Sequence, residues 1–274
     1  LVRAEATREA LQAAIAEWKM PVLDAALSAA GALSAPVLTP EEWRDLTHHL
    51  PLVTIEKISD SAPIKAQALR VVDFTRVLAG PTCGRLLAEQ GADVTRIDNP
   101  LYPDLISYRL DANRDKKEVT LDLRTPEQRD QLFKLINKAD VFLQAYRPGV
   151  AEHLGLSAEM LCVENPGLIH GSLTAYDEGT LFSGRRGFDS AVQAASGLEK
   201  LMAGSRTSGP VKDSSVAQIS AFLYYQANVL SKLRTNEAFH NLFKTTIFNQ
   251  IYKSIMEKTS NTKCTIIYVI SIIV

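Results

Sequence analysis

Cysteine is scarce in this chain: Cys83, Cys162 and Cys264 are the three it has in 274 residues. They are odd in number and lack the paired spacing of a zinc ligand set, so neither a disulfide framework nor a metal site is suggested. A reducing compartment is the simpler inference, the cytoplasm first, with mitochondrial or peroxisomal interiors left open. An excess of one charge is also missing, since 30 Lys and Arg against 31 Asp and Glu leave a formal -1. That excludes a global basic field and argues against nucleic acid as the principal partner. No apolar run approaches the about 20 residues that cross a bilayer as a helix, so no membrane partner is expected. The Gly-x-Gly-x-x-Gly fingerprint of dinucleotide enzymes is absent, because Gly80 and Gly84 have the wrong spacing. Asp98 nevertheless stands where a ribose-binding acid could. No Ser-His-Asp order occurs, and His48 and His49 are adjacent without partners. The sequence starts at Leu1, so no targeting signal is read from it.

What is present is 46% hydrophobic residues arranged in alternating strand and helix patterns. Residues 71–100 read as an apolar strand, a Gly-Pro turn, a short amphipathic helix stopped by Gly91, and a second strand over Val94 to Asp98. Such strand–helix–strand units build parallel sheets with ligands at the strand ends. Thr39-Pro40-Glu41-Glu42 and Thr125-Pro126-Glu127-Gln128 each spell a helix start, with Thr as N-cap, Pro first, and a residue able to close a capping box. After the second, Leu132, Leu135 and Ile136 form a core-facing stripe, and Val141-Phe142-Leu143 predicts a buried strand. Near the start, Leu11, Ile15 and Trp18 share one helical face.

Ordered motifs carry more than the pattern does. The run Val71-Val-Asp-Phe-Thr-Arg-Val-Leu-Ala-Gly-Pro is followed by Asn113-Arg-Asp-Lys-Lys, Thr120-Leu-Asp-Leu-Arg-Thr-Pro-Glu and Lys138-Ala-Asp-Val. Tyr146-Arg-Pro-Gly-Val, Leu154-Gly-Leu and Gly187-Phe-Asp-Ser-Ala-Val-Gln-Ala-Ala-Ser-Gly-Leu then follow in order. In this the chain resembles the family III CoA-transferases, the group that includes formyl-CoA transferase, carnitine CoA-transferase and α-methylacyl-CoA racemase.

The resemblance implies an α/β fold with a Rossmann-like parallel sheet, incomplete here, and a helical N-terminal segment. It implies transfer of coenzyme A from an acyl-CoA to a free carboxylic acid through an aspartyl covalent intermediate. The CoA thioester is then a substrate, and no permanently bound cofactor or metal is expected. Asp213 falls on the family's catalytic aspartate, ahead of a helical pattern over Ile219, Phe222, Leu223 and Leu230. By itself it also reads as a plain N-cap. Arg76, Val77, Leu78 and Ala79 match the CoA-binding loop, with Gly80 supplying backbone freedom. Leu121, Arg124, Tyr146 and Arg186 fall on positions lining the CoA site, where either Arg could take phosphate or stand solvated. Asp189 is a competing carboxylate that reads equally as a capping residue. Racemase relatives place His just before it, whereas Phe188 transfers no proton, which argues against epimerisation. Asn99 and His153 stand where formyl-CoA transferase relatives have Arg, and Ala145 replaces an Asn.

Four segments are read. Residues 1–54 look like part of a family III small domain, 55–68 like a linker, 69–233 like the Rossmann-like CoA-transferase domain, and 234–274 like a divergent tail. That tail has one Ala and no Gly or Pro, and Thr265 to Val274 reads as a stray β-prone run. The order suggests a truncated or tandem-copy-derived member, a homodimer if complete. The alternatives are a catalytically impaired fragment or a racemase-type member.

Overall fold

The computed structural model describes residues 7–47, 53–59, 69–176, 179–197, 199–200 and 264–270. These divide into two compact units. One holds the described residues of 7–47 and 174–200, the other those of 53–173 and 264–269.

The larger unit is built on a seven-stranded sheet. Its strands are β1 (Val53–Ser59), β2 (Arg70–Phe74), β3 (Asp93–Asp98), β4 (Lys117–Thr120), β5 (Val141–Gln144), β6 (Ile169–Thr174) and β7 (Cys264–Ile270). They lie in the order β1-β7-β6-β5-β2-β3-β4. The five strands from β6 to β4 are parallel, and β1 pairs antiparallel with β7, Val53 opposite Val269. The α/β fold with a parallel sheet is therefore as expected.

Two segments differ from expectation. β1 occupies the start of the stretch read as linker, and β7 lies in the stretch read as a stray tail. Both are rich in β-branched residues, and pairing with each other gives their backbone groups partners that neither segment shows in isolation.

Period-two alternation sorts the strand residues to two faces. Val72, Phe74, Ile97 and Phe142 face one core with Leu132 and Ile136 of α6 (Pro126–Ile136) and Leu161 of α8 (Ala158–Glu164). Val71, Val94, Val141, Leu143 and Ile169 face the other core with Leu87 of α4 (Ala79–Glu89). Burial on both faces explains why these strands read as near-continuous apolar runs. The predicted stripe holds, with Leu132 and Ile136 fully buried and Leu135 packed beside them. Gly91 follows α4 with φ 92, a conformation that stops the helix, and its N–H donates to Ala88 O at 2.8 Å. Asp140 ties the starts of two strands together, accepting from the Arg70 backbone N–H at 2.8 Å and from its guanidinium at 3.2 Å.

The two helix starts diverge despite the same spelling. At α3 (Pro40–Thr47) the box closes: Thr39 N–H donates to Glu42 Oε2 at 2.7 Å, and Glu42 N–H to Thr39 Oγ1 at 3.1 Å. At α6 the Thr125 hydroxyl instead donates to Asp122 O at 2.8 Å, and Gln128 Oε1 accepts from Asp122 N–H at 2.7 Å. The preceding turn competes for the capping groups and takes them.

The smaller unit carries α1 (Arg8–Ala16), α2 (Met20–Ala29), α3 and α9 (Asp189–Ala195). Its core joins Tyr176, Phe182, Val192 and Ala195 to Trp43, Leu38 and Leu46. Arg185 donates to Asp24 Oδ2 at 2.7 Å. The face of Leu11, Ile15 and Trp18 remains exposed.

Among the described residues no helix is long and apolar enough to cross a membrane. Cys83 is free, whereas Cys162 is disulfide-bonded, which departs from the expectation that no disulfide would form.

Candidate active site at the carboxyl edge of the sheet

Chain order and spatial order of the parallel strands disagree between β2 and β5. From β2 the chain steps outward to β3 and β4, then returns to place β5 and β6 on the opposite side. The connections leaving β2 and β5 diverge at that point, and open α/β sheets bind ligands in the crevice so formed. Arg76, Val77 and Leu78 leave β2 here, and Ala79 begins α4. Tyr146 follows β5, its ring 4.8 Å from that of Phe74. The structure thus brings the predicted loop and Tyr146 to one crevice.

Leu121 and Arg124 follow β4 on the same edge, two strands from β2, or about 10 Å at ordinary strand spacing. The Leu121 side chain belongs to the core, while its N–H donates to Asp98 O at 2.9 Å. Arg124 is exposed and paired with Asp122, Nη2 to Oδ2 at 2.7 Å. Arg186 is an exposed residue of the other unit, ahead of α9. Phe188 is the exposed N-cap of α9, and Asp189 its first residue. Asp213 lies outside the described residues.

The β2 turn is unusual in its backbone. Val77 has φ 67, the left-handed region that costs an L-residue roughly 1–2 kcal/mol and that β-branched side chains avoid. The freedom expected of Gly80 is instead a need for space. A Cβ there would meet Thr75 Cβ at 2.3 Å, and one on Gly84 would meet Asp73 Oδ2 at 2.3 Å. Both glycines let α4 approach the end of β2.

Two charged clusters hold the turn, and reasoning from sequence missed both. Under α4, Lys116 Nζ donates to Asp73 Oδ2 at 2.7 Å and to Pro81 O at 2.7 Å, with both side chains fully buried. Thr75 N–H donates to Asp73 Oδ1 at 3.2 Å, and its hydroxyl donates to the same oxygen. Burial holds Lys116 below the ordinary lysine value, the Asp73 carboxylate offsetting part of the shift. Burial and Asp73 together push the Cys83 thiol up to about 12, so this cysteine is no nucleophile.

Beside β3, Arg96 is almost wholly buried; it donates from Nε to Asp98 Oδ1 and from Nη1 to Asn113 Oδ1, each at 2.8 Å, and from Nη2 to Asp104 Oδ2. Burial opposes its charge, but the bonds to Asp98 and Asp104 outweigh burial and hold its pKa above the ordinary arginine value. Asp104 accepts the Val77 N–H at 3.2 Å and lies 3.4 Å from the Arg76 guanidinium. That guanidinium sits over the Tyr102 ring at 5.7 Å from its centroid. Burial pushes the Tyr146 phenol up to about 12, so it is neutral and a hydrogen-bond donor at pH 7.

The signal for both clusters was present in the strands. Asp73 interrupts Val-Val-x-Phe and Arg96 interrupts an apolar strand, and a buried charge requires a partner. Which partner it finds depends on contacts distant in sequence. Asp98, meanwhile, is engaged by Arg96 and, at 3.4 Å, by Arg109, which tells against the ribose-binding role. Among the described residues no group of His, Cys, Asp and Glu is arranged to hold a metal ion.

Comparison with known proteins extends this picture. The model for CoA-transferase family III matches residues 67–239. A probable fatty acyl-CoA transferase of Mycobacterium tuberculosis is 39% identical over 142 residues, 47% of this chain and 36% of that protein. A formyl-CoA:oxalate CoA-transferase of Escherichia coli is 34% identical over 143 residues, 48% of this chain and 34% of that protein. The chain thus spans about a third of the length of these curated relatives. Among solved structures, a CAIB/BAIF family protein from Brucella suis superposes with TM-score 0.47 at 25% identity, covering 74% of this chain and 60% of that one.

Proposed function

This chain belongs to CoA-transferase family III, and from that premise we propose that it transfers coenzyme A between an acyl-CoA and a free carboxylic acid. The observation that carries the reading is the extent of the family match, residues 67–239, which takes in both the crevice loop and Asp213. In this reading Arg76 and the turn through Ala79 receive the nucleotide end of the CoA thioester. Tyr146 lines the crevice as a neutral donor. Leu121 and Arg124 are proposed to contribute to the same substrate.

Asp213 is the proposed nucleophile. Its carboxylate attacks the thioester carbonyl, the C–S bond breaks, and an aspartyl anhydride and CoA thiolate result. The thiolate attacks the aspartyl carbonyl, releases the donor acid and leaves an aspartyl-CoA thioester. The acceptor carboxylate attacks that thioester, giving a second anhydride and thiolate. The thiolate then takes the acceptor acyl group and frees Asp213. An ionised aspartate at neutral pH suits each attack. Phe188 supplies no proton-transfer group, so epimerisation at the α-carbon is not proposed.

A CoA-binding but catalytically impaired chain is the second reading. It is favoured by Asn99 and His153, whose side chains are engaged locally, Asn99 Oδ1 accepting from Leu101 N–H at 2.9 Å and His153 Nδ1 bonding Gly149 O. Neither is the Arg that formyl-CoA transferase relatives place there.

The test is turnover of an acyl-CoA with a carboxylate acceptor, followed by mass spectrometry of the quenched protein. The expected result is a CoA adduct on the peptide bearing Asp213, absent in Asp213→Ala, which loses turnover. An Asp213→Ala chain that still turns over overturns the nucleophile. Retention on immobilised CoA without turnover or adduct in the unaltered chain selects the second reading.

A further inference from the structure

Resting on the reading that the turn after β2 receives a CoA nucleotide, we infer that Asp104 is a positioning residue for that site, a carboxylate that holds the Arg76–Val77 turn in its binding shape. Three observations converge on it. Val77 is a β-branched residue at φ 67, and such backbone conformations persist only where the surroundings over-determine them, commonly at ligand clamps. The Val77 N–H donates to Asp104 Oδ2 at 3.2 Å, so the strained unit is bonded at its amide. The other carboxylate oxygen lies 3.4 Å from the Arg76 guanidinium, whose Nε is buried and without a hydrogen-bond partner. Asp104 therefore engages both the backbone and the cation of the turn, and the Arg76 side chain is still 32% exposed toward an incoming acceptor.

Asp104 can do this because it is itself fixed. Its side chain is 3% exposed and bonded to Arg96, whose side chain is 2% exposed and whose Nε and Nη1 donate to Asp98 and Asn113. A carboxylate anchored through a planar guanidinium that is bonded at each of its three nitrogens resists following the turn if the turn relaxes. The chain after β3 thus latches the chain after β2.

The experiment measures CoA affinity by calorimetry on the full chain and three variants, Asp104→Asn, Val77→Gly and the double variant, each with its Tm. Asp104→Asn is expected to weaken CoA binding about tenfold, which corresponds to about 1.4 kcal/mol. Glycine adopts φ 67 without strain, so adding Val77→Gly to Asp104→Asn is expected to recover at least about threefold of the loss. A merely structural Asp104 would lower Tm in the two variants that carry Asp104→Asn and leave the affinity of the folded protein unchanged. Wild-type affinity in Asp104→Asn, or no recovery in the double variant, overturns the inference. Should Asp104→Asn not fold, Arg96→Lys is read instead, because it keeps a cation beside Asp104 and loses the fork; wild-type affinity there also overturns it. Failure of the unaltered chain to bind CoA is the distinct result that overturns the functional reading, and this inference with it.

Discussion

Asp73 and Asp104 flank the same turn at the end of β2, yet they are satisfied in opposite ways. Asp73 closes on Lys116 and Thr75 with no exposure on either member of the ion pair. Asp104 is as deeply anchored by Arg96, but its outer oxygen faces Arg76, whose side chain is 32% exposed. The first cluster seals α4 onto the sheet. The second passes rigidity from the core to a cation at the crevice. A buried ion pair is weak evidence of net stabilisation, because desolvation offsets much of the Coulombic gain. What differs between the two is where the rigidity is delivered.

The largest expected effect tests the sealed cluster. Lys116→Met leaves the Asp73 carboxylate buried without its cation and is expected to destabilise by about 3–5 kcal/mol in urea unfolding. A loss comparable to that of a surface substitution would mean that water reaches Asp73, and the contrast with Asp104 would collapse.

A smaller effect is expected from Gly84→Ala, whose added Cβ would meet Asp73 Oδ2 at 2.3 Å. Separating α4 from β2 enough to admit it is expected to cost about 1–3 kcal/mol. A neutral outcome would show that the α4 contact is loose.

The smallest effect sharpens the open cluster at its rim. Glu118 accepts from Asn113 Nδ2 at 2.7 Å and from Arg109. Burial favours its neutral form, but those two donors outweigh burial and hold its pKa below the ordinary 4.5. A depressed carboxylate contributes stability that is full above the unfolded value and lost as pH falls through the folded one. The urea midpoint should therefore decline as pH falls below about 4.5, and more shallowly in Glu118→Gln. Equal slopes would detach Glu118 from the network.

Much of the sheet was legible in advance. Val141-Phe142-Leu143 reads as a buried strand because four consecutive positions from Val141 to Gln144 are buried, and Gly91 marks the end of α4 because few other residues take its φ. The turn of Arg76 to Ala79 was legible as the exit from β2 into α4, while its part in binding CoA stays a proposal. Arg96 and Asp104, eight residues apart, were not, because nothing local says that a guanidinium in β3 meets a carboxylate in the following loop, or that both serve the turn after β2. The β1–β7 pair was missed for the same reason: over 200 residues separate its strands.

By itself, then, the sequence determined the strand–helix–strand unit of residues 71–100, the buried stripe and strand of residues 132–143 and the family, since periodicity, turn residues and motif order are local properties of the chain. The tertiary structure alone decided that Val77 takes a left-handed φ, that Gly80 and Gly84 serve close approach, and which cation each buried carboxylate meets. Those outcomes depend on strand order, which places β5 rather than β4 beside β2. They depend also on the low-dielectric interior, where a charge must find its partner in space whatever its distance along the chain.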